Sequence, residues 1–289
     1  MHKKHLTNWG ICYIIIFSAL FWGNKDGNNA YSGEDMPRFF VNAEQIDGDK
    51  IYIVGDDAFH ISRALRMAAG ERVTVCDKRG TEYDCVLEDF LPDKVGARIE
   101  SSKLSETEPP FKAHIYQGLP KGDKLETVIQ KSVECGACSV TTFESEFCIA
   151  KAKPDGEKNK LERRNRIAVE AAKQSGRAIL PEVRATVSFD RMVEMAQSAD
   201  ICLFCYEAEG TRPIGHYIGG GEIKRIAEEK GRAPEIAIVI GPEGGFSVKE
   251  AEKAAKAGFS MCGLGKRILR TETAATFALS CLVYETELS

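Results

Sequence analysis

Between residues 36 and 105 the apolar positions fall in short runs, IYIV (51–54), RVTVCD (72–77), TEYDCVLEDF (81–90) and KVGARIE (94–100), separated by Gly, Asp and Pro. Runs this short and closely spaced predict the strands of a small barrel or sandwich. One helical stretch, Ala58 to Ala69, interrupts them. Ser101 to Pro110 (SSKLSETEPP) is polar, carries a Pro pair and lacks periodicity, which marks a linker and a domain boundary. From Phe111 onward apolar runs alternate with helical patterns, the rhythm of an α/β domain built on a mainly parallel sheet. Its predicted strands are HIYQGL (114–119), CSVTTFES (138–145), DICLFCYE (200–207), EIAIVIG (235–241) and FSMCGLG (259–265).

The first helix of this domain follows Lys121. Leu125, Val128, Ile129 and Val133 share one face, Asp123 and Glu126 have capping-box spacing, and Gly136 can end it. A second helix covers about 158 to 175. The last, AATFALSCLVYE (274–285), is apolar nearly all round, which predicts burial on more than one side and a partner surface, most simply a second subunit.

Residues 1–35 do not share this organisation. Ile11 to Trp22 (ICYIIIFSALFW) is a twelve-residue apolar run preceded by His2, Lys3, Lys4 and His5, as in a signal peptide. It is shorter than the roughly 20 residues a membrane-spanning helix needs. Asn28-Asn29-Ala30 stands where a cleavage site wants small residues at both key positions, so export is half supported. The favoured expectation is that the working chain begins at Met36 and that residues 1–35 are a dispensable leader or a mis-called start.

Composition narrows the class. With 289 residues, 28% charged and 43% hydrophobic, the chain is neither disordered nor collagen-like. A formal charge of −4 argues against coating nucleic acid through bulk positive charge, so an RNA site must be local. Residues 151–177 carry nine basic and four acidic side chains, including Lys158, Lys160, Arg163, Arg164, Arg166 and Lys173. This is the best local candidate for a phosphate-facing surface, a solvated charged face being the alternative. In the first domain Arg38, Arg63 and Arg66 are the candidate RNA contacts, with the same alternative. Ten cysteines are too dilute for a disulfide scaffold and suit the reduced thiols of a cytosolic enzyme. The pairs Cys135/Cys138 and Cys202/Cys205 have zinc-like spacing, but the second lies in a strand, where positions i and i+3 face opposite ways. They read as small buried hydrophobes, and no metal is expected.

The strongest chemical signal is EIAIVIGPEGGFSVKEAEKAAKAG (235–258), a buried-type strand that runs into Gly241-Pro242-Glu243-Gly244-Gly245 and then a helix. Ser247 and Glu250 form its capping box and Gly258 sits at its end. Glycines let backbone approach a ligand, and a helix N-terminus favours an anionic group. The G-x-G-x-x-G spacing of dinucleotide enzymes is absent. The next strand ends in a second unusual loop, Gly263 to Ala275 (GLGKRILRTETAA). Adjacent parallel strands bring their C-terminal loops to one sheet edge, so the two loops are expected to meet over one crevice.

MPRFFV (36–41), HISRALRMAAGERVTVCD (60–77), GLPKGDKLETVIQKSVECGA (118–137), AAKQSGRAILPEV (171–183), IGPEGGFSVKEAE (240–252) and LGKRILRTETAA (264–275) together resemble the bacterial 16S ribosomal RNA uridine N3-methyltransferase family, RsmE. The resemblance covers Met36 to the C-terminus. It implies a PUA-like RNA-binding β-barrel over 36–105 and, over 111–289, a SPOUT methyltransferase domain whose parallel sheet ends in a C-terminal trefoil knot. It also implies S-adenosylmethionine as cofactor, the small ribosomal subunit as substrate, a homodimer through the last helix and a cytoplasmic enzyme with no membrane attachment. Carried over position by position, Gly241, Gly244, Gly245, Leu264, Gly265, Ile268, Leu269, Thr273 and Ala274 correspond to the cofactor cradle. Lys121, Glu134, Gln174, Arg177 and Arg270 correspond to positions near the substrate. Phe147 stands where the family usually has Arg, and Asn165 where an aromatic commonly follows Arg164.

Uracil N3 must lose a proton while charge develops on its flanking carbonyls, so the chemistry asks for a cation and an acceptor. Arg270 is the expected electrostatic stabiliser and Glu272 the candidate base or orienter. A SPOUT-fold enzyme acting on another RNA site and a non-catalytic rRNA-binding assembly protein remain open, since fold does not fix function.

Overall fold

The computed structural model describes residues 36–151, 156–208 and 210–289, and residues 37–289 form one compact unit. The expectations placed on residues 1–35 lie outside the described residues.

The N-terminal part of the unit is a six-stranded sheet made of β1 (Arg38–Phe40), β2 (Ile46–Asp47), β3 (Lys50–Val54), β4 (Arg72–Cys76), β5 (Thr81–Phe90) and β6 (Lys94–Leu104). The spatial order is β1-β4-β5-β6-β3-β2, with only β1–β4 parallel. Alternate residues point inward, so Phe39, Ile51, Ile53, Val73, Val75, Cys85, Leu87 and Val95 make a core of their own. Hydrogen bonds do not close the sheet into a ring: the short strands β1 and β2 are its two edges. The helix expected over 58–69 is shorter. It is α1 (Asp56–Phe59), which widens into a π-type turn through His60–Ala64. Arg66 then adopts a left-handed φ of +54°, which ends any continuation.

The expected linker is not free chain. Its first four residues extend β6, and further on Glu108 is an ion-pair partner of Arg177 while the Thr107 hydroxyl donates to the Gly176 carbonyl at 2.8 Å. Polarity there reflects exposure to water rather than a break in structure.

The C-terminal part contains β7 (Lys112–Gly118), α2 (Lys124–Glu134), β8 (Ala137–Glu144), α3 (Glu157–Gln174), β9 (Glu182–Ser188), α4 (Phe189–Ala196), β10 (Ile201–Cys205), β11 (Arg212–Pro213), α5 (Gly215–Ile218), α6 (Glu222–Lys230), β12 (Glu235–Ile240), α7 (Val248–Lys256), β13 (Ser260–Gly263) and α8 (Thr271–Val283). All its strands are parallel, in the order β11-β13-β10-β12-β7-β8-β9. Helices cover both faces, which is why the central strand EIAIVI is apolar at nearly every position. One face buries α2, α3 and α8 residues with Ile115, Leu203 and Ile238; the other buries Phe143, Phe189, Phe204 and Phe246.

The expected helix after Lys121 forms, but Asp123 makes no side-chain cap, and only its carbonyl accepts the Glu126 N–H. Sequence reasoning missed β9 and α4 to α6, whose short or half-buried runs carry weak periodicity.

Candidate active site

β12 delivers the chain into the turn 241–245, in which Gly245 has φ +69° and donates its N–H to the Pro242 carbonyl at 2.9 Å. The following helix starts as the sequence predicts. The Ser247 hydroxyl accepts the Glu250 N–H, and the Glu250 carboxylate accepts the Ser247 N–H at 3.0 Å. That carboxylate is buried and reaches further, accepting the Ser145 hydroxyl at 3.1 Å and the Glu146 N–H at 2.9 Å. One cap thus pins the loop after β8 against the glycine turn.

This contact changes the reading of Gly244. A Cβ there would lie 2.9 Å from the Phe147 Cβ, so Gly is required for packing on this loop. Close approach of a ligand is not what the Gly244 Cβ position guards. A second close approach went unseen in the sequence: a Cβ on Gly118 would lie 2.5 Å from Pro242 Cδ.

From β13 the chain passes through Gly265, at φ +105°, to Arg270, the N-cap of α8. Contrary to expectation, β12 and β13 are not neighbours. β10 lies between them, because the crossover from β12 passes it before β13 is laid down. The two loops still meet. The Thr271 hydroxyl donates to the Gly241 carbonyl at 2.6 Å and accepts from Gln117 Nε2 at 2.8 Å, while Gln117 Nε2 also reaches Gly241 O at 3.3 Å. Thr271 lies within the singled-out 263–275 loop but carried no role of its own there, and Gln117 had no sequence signal beyond being a polar residue at the end of an apolar element.

Between the loops is a cleft of about 560 Å³, within the size range of small-molecule sites. Of the expected cradle, Gly241, Gly244, Gly245, Leu264, Ile268, Leu269 and Ala274 line it, as does Arg270. Gly265 and Thr273 do not: the first shapes the turn, and the second is exposed on α8. The end of β10 adds Cys205 to the lining, and the next residue adds Tyr206. Cys205 Sγ lies 3.6 Å from Cys262 Sγ, and that contact with burial holds the Cys205 thiol well above its usual value. It is a protonated, apolar wall. Cys202 turns the other way and donates to the Ala196 carbonyl at 3.0 Å.

Lys124, also missed, brings charge to the cleft. Its Nζ donates to Glu243 Oε1 at 2.9 Å and lies 3.6 Å from Glu272 Oε2. The bond to Glu243 raises the lysine's pKa. Burial pushes the Glu243 carboxyl up, but hydrogen bonds from Lys124 and from backbone N–H groups outweigh it and leave the group below its usual value. Lys121 contributes its backbone N–H to Glu243 at 3.2 Å. Arg270 is 82% exposed at its side chain, with Nη1 4.0 Å from Glu272 Oε1.

Other expected substrate positions fall elsewhere. Arg177 is 2% exposed, and its guanidinium is committed to Glu108 and to the Val133 and Ala137 carbonyls, so it is an internal brace. Arg38 bonds Glu82 at 3.0 Å and Cys76. Glu134 pairs with Lys131 at 2.8 Å at the end of α2, away from the cleft. Gln174 is exposed at the end of α3, next to Lys173, which pairs with Asp57 of α1 at 2.8 Å. Arg63 and Arg66 are exposed, with the Arg63 guanidinium 6.0 Å from the centre of the exposed Phe59 ring.

A family model described as an RNA methyltransferase domain matches residues 107–283, and one described as an RNA methyltransferase PUA domain matches residues 53–95. Ribosomal RNA small subunit methyltransferase E of Bacillus subtilis is 36% identical over 259 residues, 88% of this chain and 98% of that protein. The chain belongs to the small subunit methyltransferase E family. The Synechocystis member is 31% identical, over 84% of this chain and 76% of its own length. Among solved structures, the Neisseria gonorrhoeae member bound to S-adenosyl methionine superimposes with a TM-score of 0.70 at 27% identity, over 86% of this chain and 97% of that one. Family membership accounts for the mixed architecture, a PUA-like part followed by a parallel α/β methyltransferase domain.

Proposed function

We propose that the protein transfers a methyl group from S-adenosylmethionine to N3 of a uridine in the 16S RNA of the small ribosomal subunit. The observation that carries this reading is the cleft walled by residues 241–245 and 264–274 and locked by Thr271. Its lining fits the cofactor: backbone of a glycine turn on one side and Leu264, Ile268, Leu269 and Ala274 on the other suit a nucleoside with polar edges and apolar faces. When bound, the sulfonium supplies an electrophilic methyl. The chain's own contribution is to orient the two reactants and exclude water. Arg270, at the rim, stabilises charge on the uracil carbonyls, and Glu272 accepts or orients the N3 proton. N3 is a Watson–Crick position, so the uridine must be presented unpaired.

The strand order supports a trefoil knot at the C-terminus. The chain passes from β12 to β13 on the far side of β10, then returns to bond the end of β12 through Thr271. Homodimerisation through the last helix is supported by apolar side chains left uncovered, Phe277 on α8 at 36% and Tyr284 in the turn that follows it at 61% exposure. The exposed Arg63 and Arg66 and the basic helix α3 are assigned to RNA backbone. No helix among the described residues is long and apolar enough to cross a membrane.

The experiment is incubation with S-adenosylmethionine and small subunits lacking the modification, followed by nucleoside mass spectrometry. The expected product is 3-methyluridine. A ribose-methylated nucleoside, or no methylated product, would overturn the assignment.

A further inference from the structure

A second cavity, of about 270 Å³, lies at the same edge of the parallel sheet as the donor cleft. Leu119 and Pro120 after β7, Ala150 and Lys151 after β8, and Thr186 near the end of β9 supply part of its wall. Residues 157–164 at the start of α3 supply much of the rest. The first turn of α2 stands between the two spaces: Lys124 lines the cleft, Asp123 and Leu125 line the cavity, and no residue lines both.

Four cations line the cavity, Lys151, Lys160, Arg163 and Arg164, against the carboxylates of Asp123, Glu126 and Glu157. Two of those carboxylates are already spent. Glu126 accepts from Arg163 Nη2 at 2.9 Å, and Glu157 accepts from Arg164 Nη1 at 3.1 Å and from the Thr186 hydroxyl at 3.4 Å. Each pair holds a guanidinium at the wall while using one of its five N–H donors. Lys151 and Lys160 are exposed and make no ion pair among the described residues. Asp123 is exposed and does not cap its own helix, so no side chain accepts from the first N–H groups of α2. Forked guanidiniums beside rotatable ammonium groups, in a space at the low end for a small-molecule site, suit a single tetrahedral anion. An RNA strand whose uridine reaches the neighbouring cleft carries such a group at every nucleotide.

We propose that this cavity seats one phosphate of the RNA strand that carries the target uridine, and so fixes the register of that strand against the donor cleft. This rests on the reading above and narrows it: the basic start of α3 acts through a built site and not as a diffuse charged face. Phosphate contacts set position and carry no sequence information. The cavity therefore decides where the strand lies, and the cleft decides what is methylated.

The test measures binding of unmodified small subunits over a range of salt, together with steady-state methylation, for wild type, Lys160→Gln, Lys151→Gln and Lys158→Gln. Lys158 is also exposed on α3 but does not line the cavity. Thermal unfolding checks the fold of each variant. Lys160→Gln is expected to weaken subunit binding about tenfold, the scale of one charge-assisted hydrogen bond. It should also reduce the slope of log affinity against log salt by about one. KM for subunits should rise in proportion, while kcat and KM for S-adenosylmethionine stay within about twofold, because the contact is made equally before and in the transition state. Lys151→Gln should behave alike, and each should lose at least about threefold more affinity than Lys158→Gln, since a solvated charge contributes little. Equal losses for all three lysines, or none for Lys160→Gln, would overturn the proposal and leave the methyltransferase reading in place. The expected differences in binding from an enzyme that makes no 3-methyluridine would keep the phosphate site and overturn the reading of the reaction.

Discussion

The Thr271 hydroxyl donates to the Gly241 carbonyl at 2.6 Å, across 30 residues of chain, and this bond joins the two loops that wall the cleft. It explains why a Thr opens the last helix although its N-cap, Arg270, makes no side-chain cap. Replacing it with the near-isosteric Val removes two buried hydrogen bonds and leaves Gly241 O only the longer bond from Gln117 Nε2 at 3.3 Å, while Nε2 keeps the Gly118 carbonyl at 3.0 Å. We expect Thr271→Val to lower stability by about 1–3 kcal/mol, the scale of two lost hydrogen bonds. Urea unfolding measures this, and calorimetry should show weaker S-adenosylmethionine binding. Unchanged values for both would mean the bond is incidental.

Gly118 and Gly122 make a matched pair for testing close approach. A Cβ on Gly118 would meet Pro242 at 2.5 Å, whereas Gly122 has open space around it but a φ of +62°. Gly118→Ala should cost about 1–3 kcal/mol by overpacking and should weaken donor binding by displacing the 241–245 turn. Gly122→Ala, strained only at its own backbone, should leave donor affinity near wild type. Equal effects on affinity would contradict this division.

Asp200 predicts an acid-labile anchor at the start of β10, remote from the cleft. Burial pushes its carboxyl up, but Lys230, Arg232 and the Glu235 N–H outweigh that and bring it from 3.8 to about 2. A carboxyl depressed in the folded state stabilises it fully above the unfolded pKa, and that contribution fades as pH falls through the folded value. Wild type should lose stability between pH 4 and about 2 more steeply than Asp200→Asn. Parallel curves of unfolding free energy against pH would exclude the linkage.

Two arginines of the N-terminal part separate a brace from a contact. Arg38 is tied to Glu82, while Arg63 is exposed. Arg63→Ala should weaken binding to ribosomal RNA and reduce the dependence of log affinity on log salt by about one unit per lost phosphate contact. Arg38→Ala should lower the melting temperature and leave the salt slope unchanged. A flat salt response in the wild type would remove the electrostatic surface altogether.

Much of this arrangement was legible in the chain, and the physical reasons are specific. β12 and the Ser247/Glu250 cap were readable because a fully buried strand and a helix start leave strong local patterns. The cleft's glycine turn was readable for the same reason. The role of Gly244 was not, since its neighbour Phe147 is almost a hundred residues distant and only the fold brings the two together. Arg177 is a similar case: the family resemblance implies a position near the substrate, whereas the fold ties its guanidinium to Glu108, 69 residues earlier in the chain. Lys124 was hidden because the chemistry lies in its two partners, each on a different segment. The order β13-β10-β12 was also beyond reach, as periodicity reports which residues are buried and says nothing of which strand lies next to which.

The methyltransferase reading stands on one cleft holding the methyl donor, and the most direct measurement is a crystal structure of the full chain soaked with S-adenosylmethionine. The prediction is electron density for the donor between the 241–245 turn and Leu264, Leu269 and Ala274, with Thr271 still bonded to Gly241. Density at any other place, with this cleft filled only by water, would contradict it.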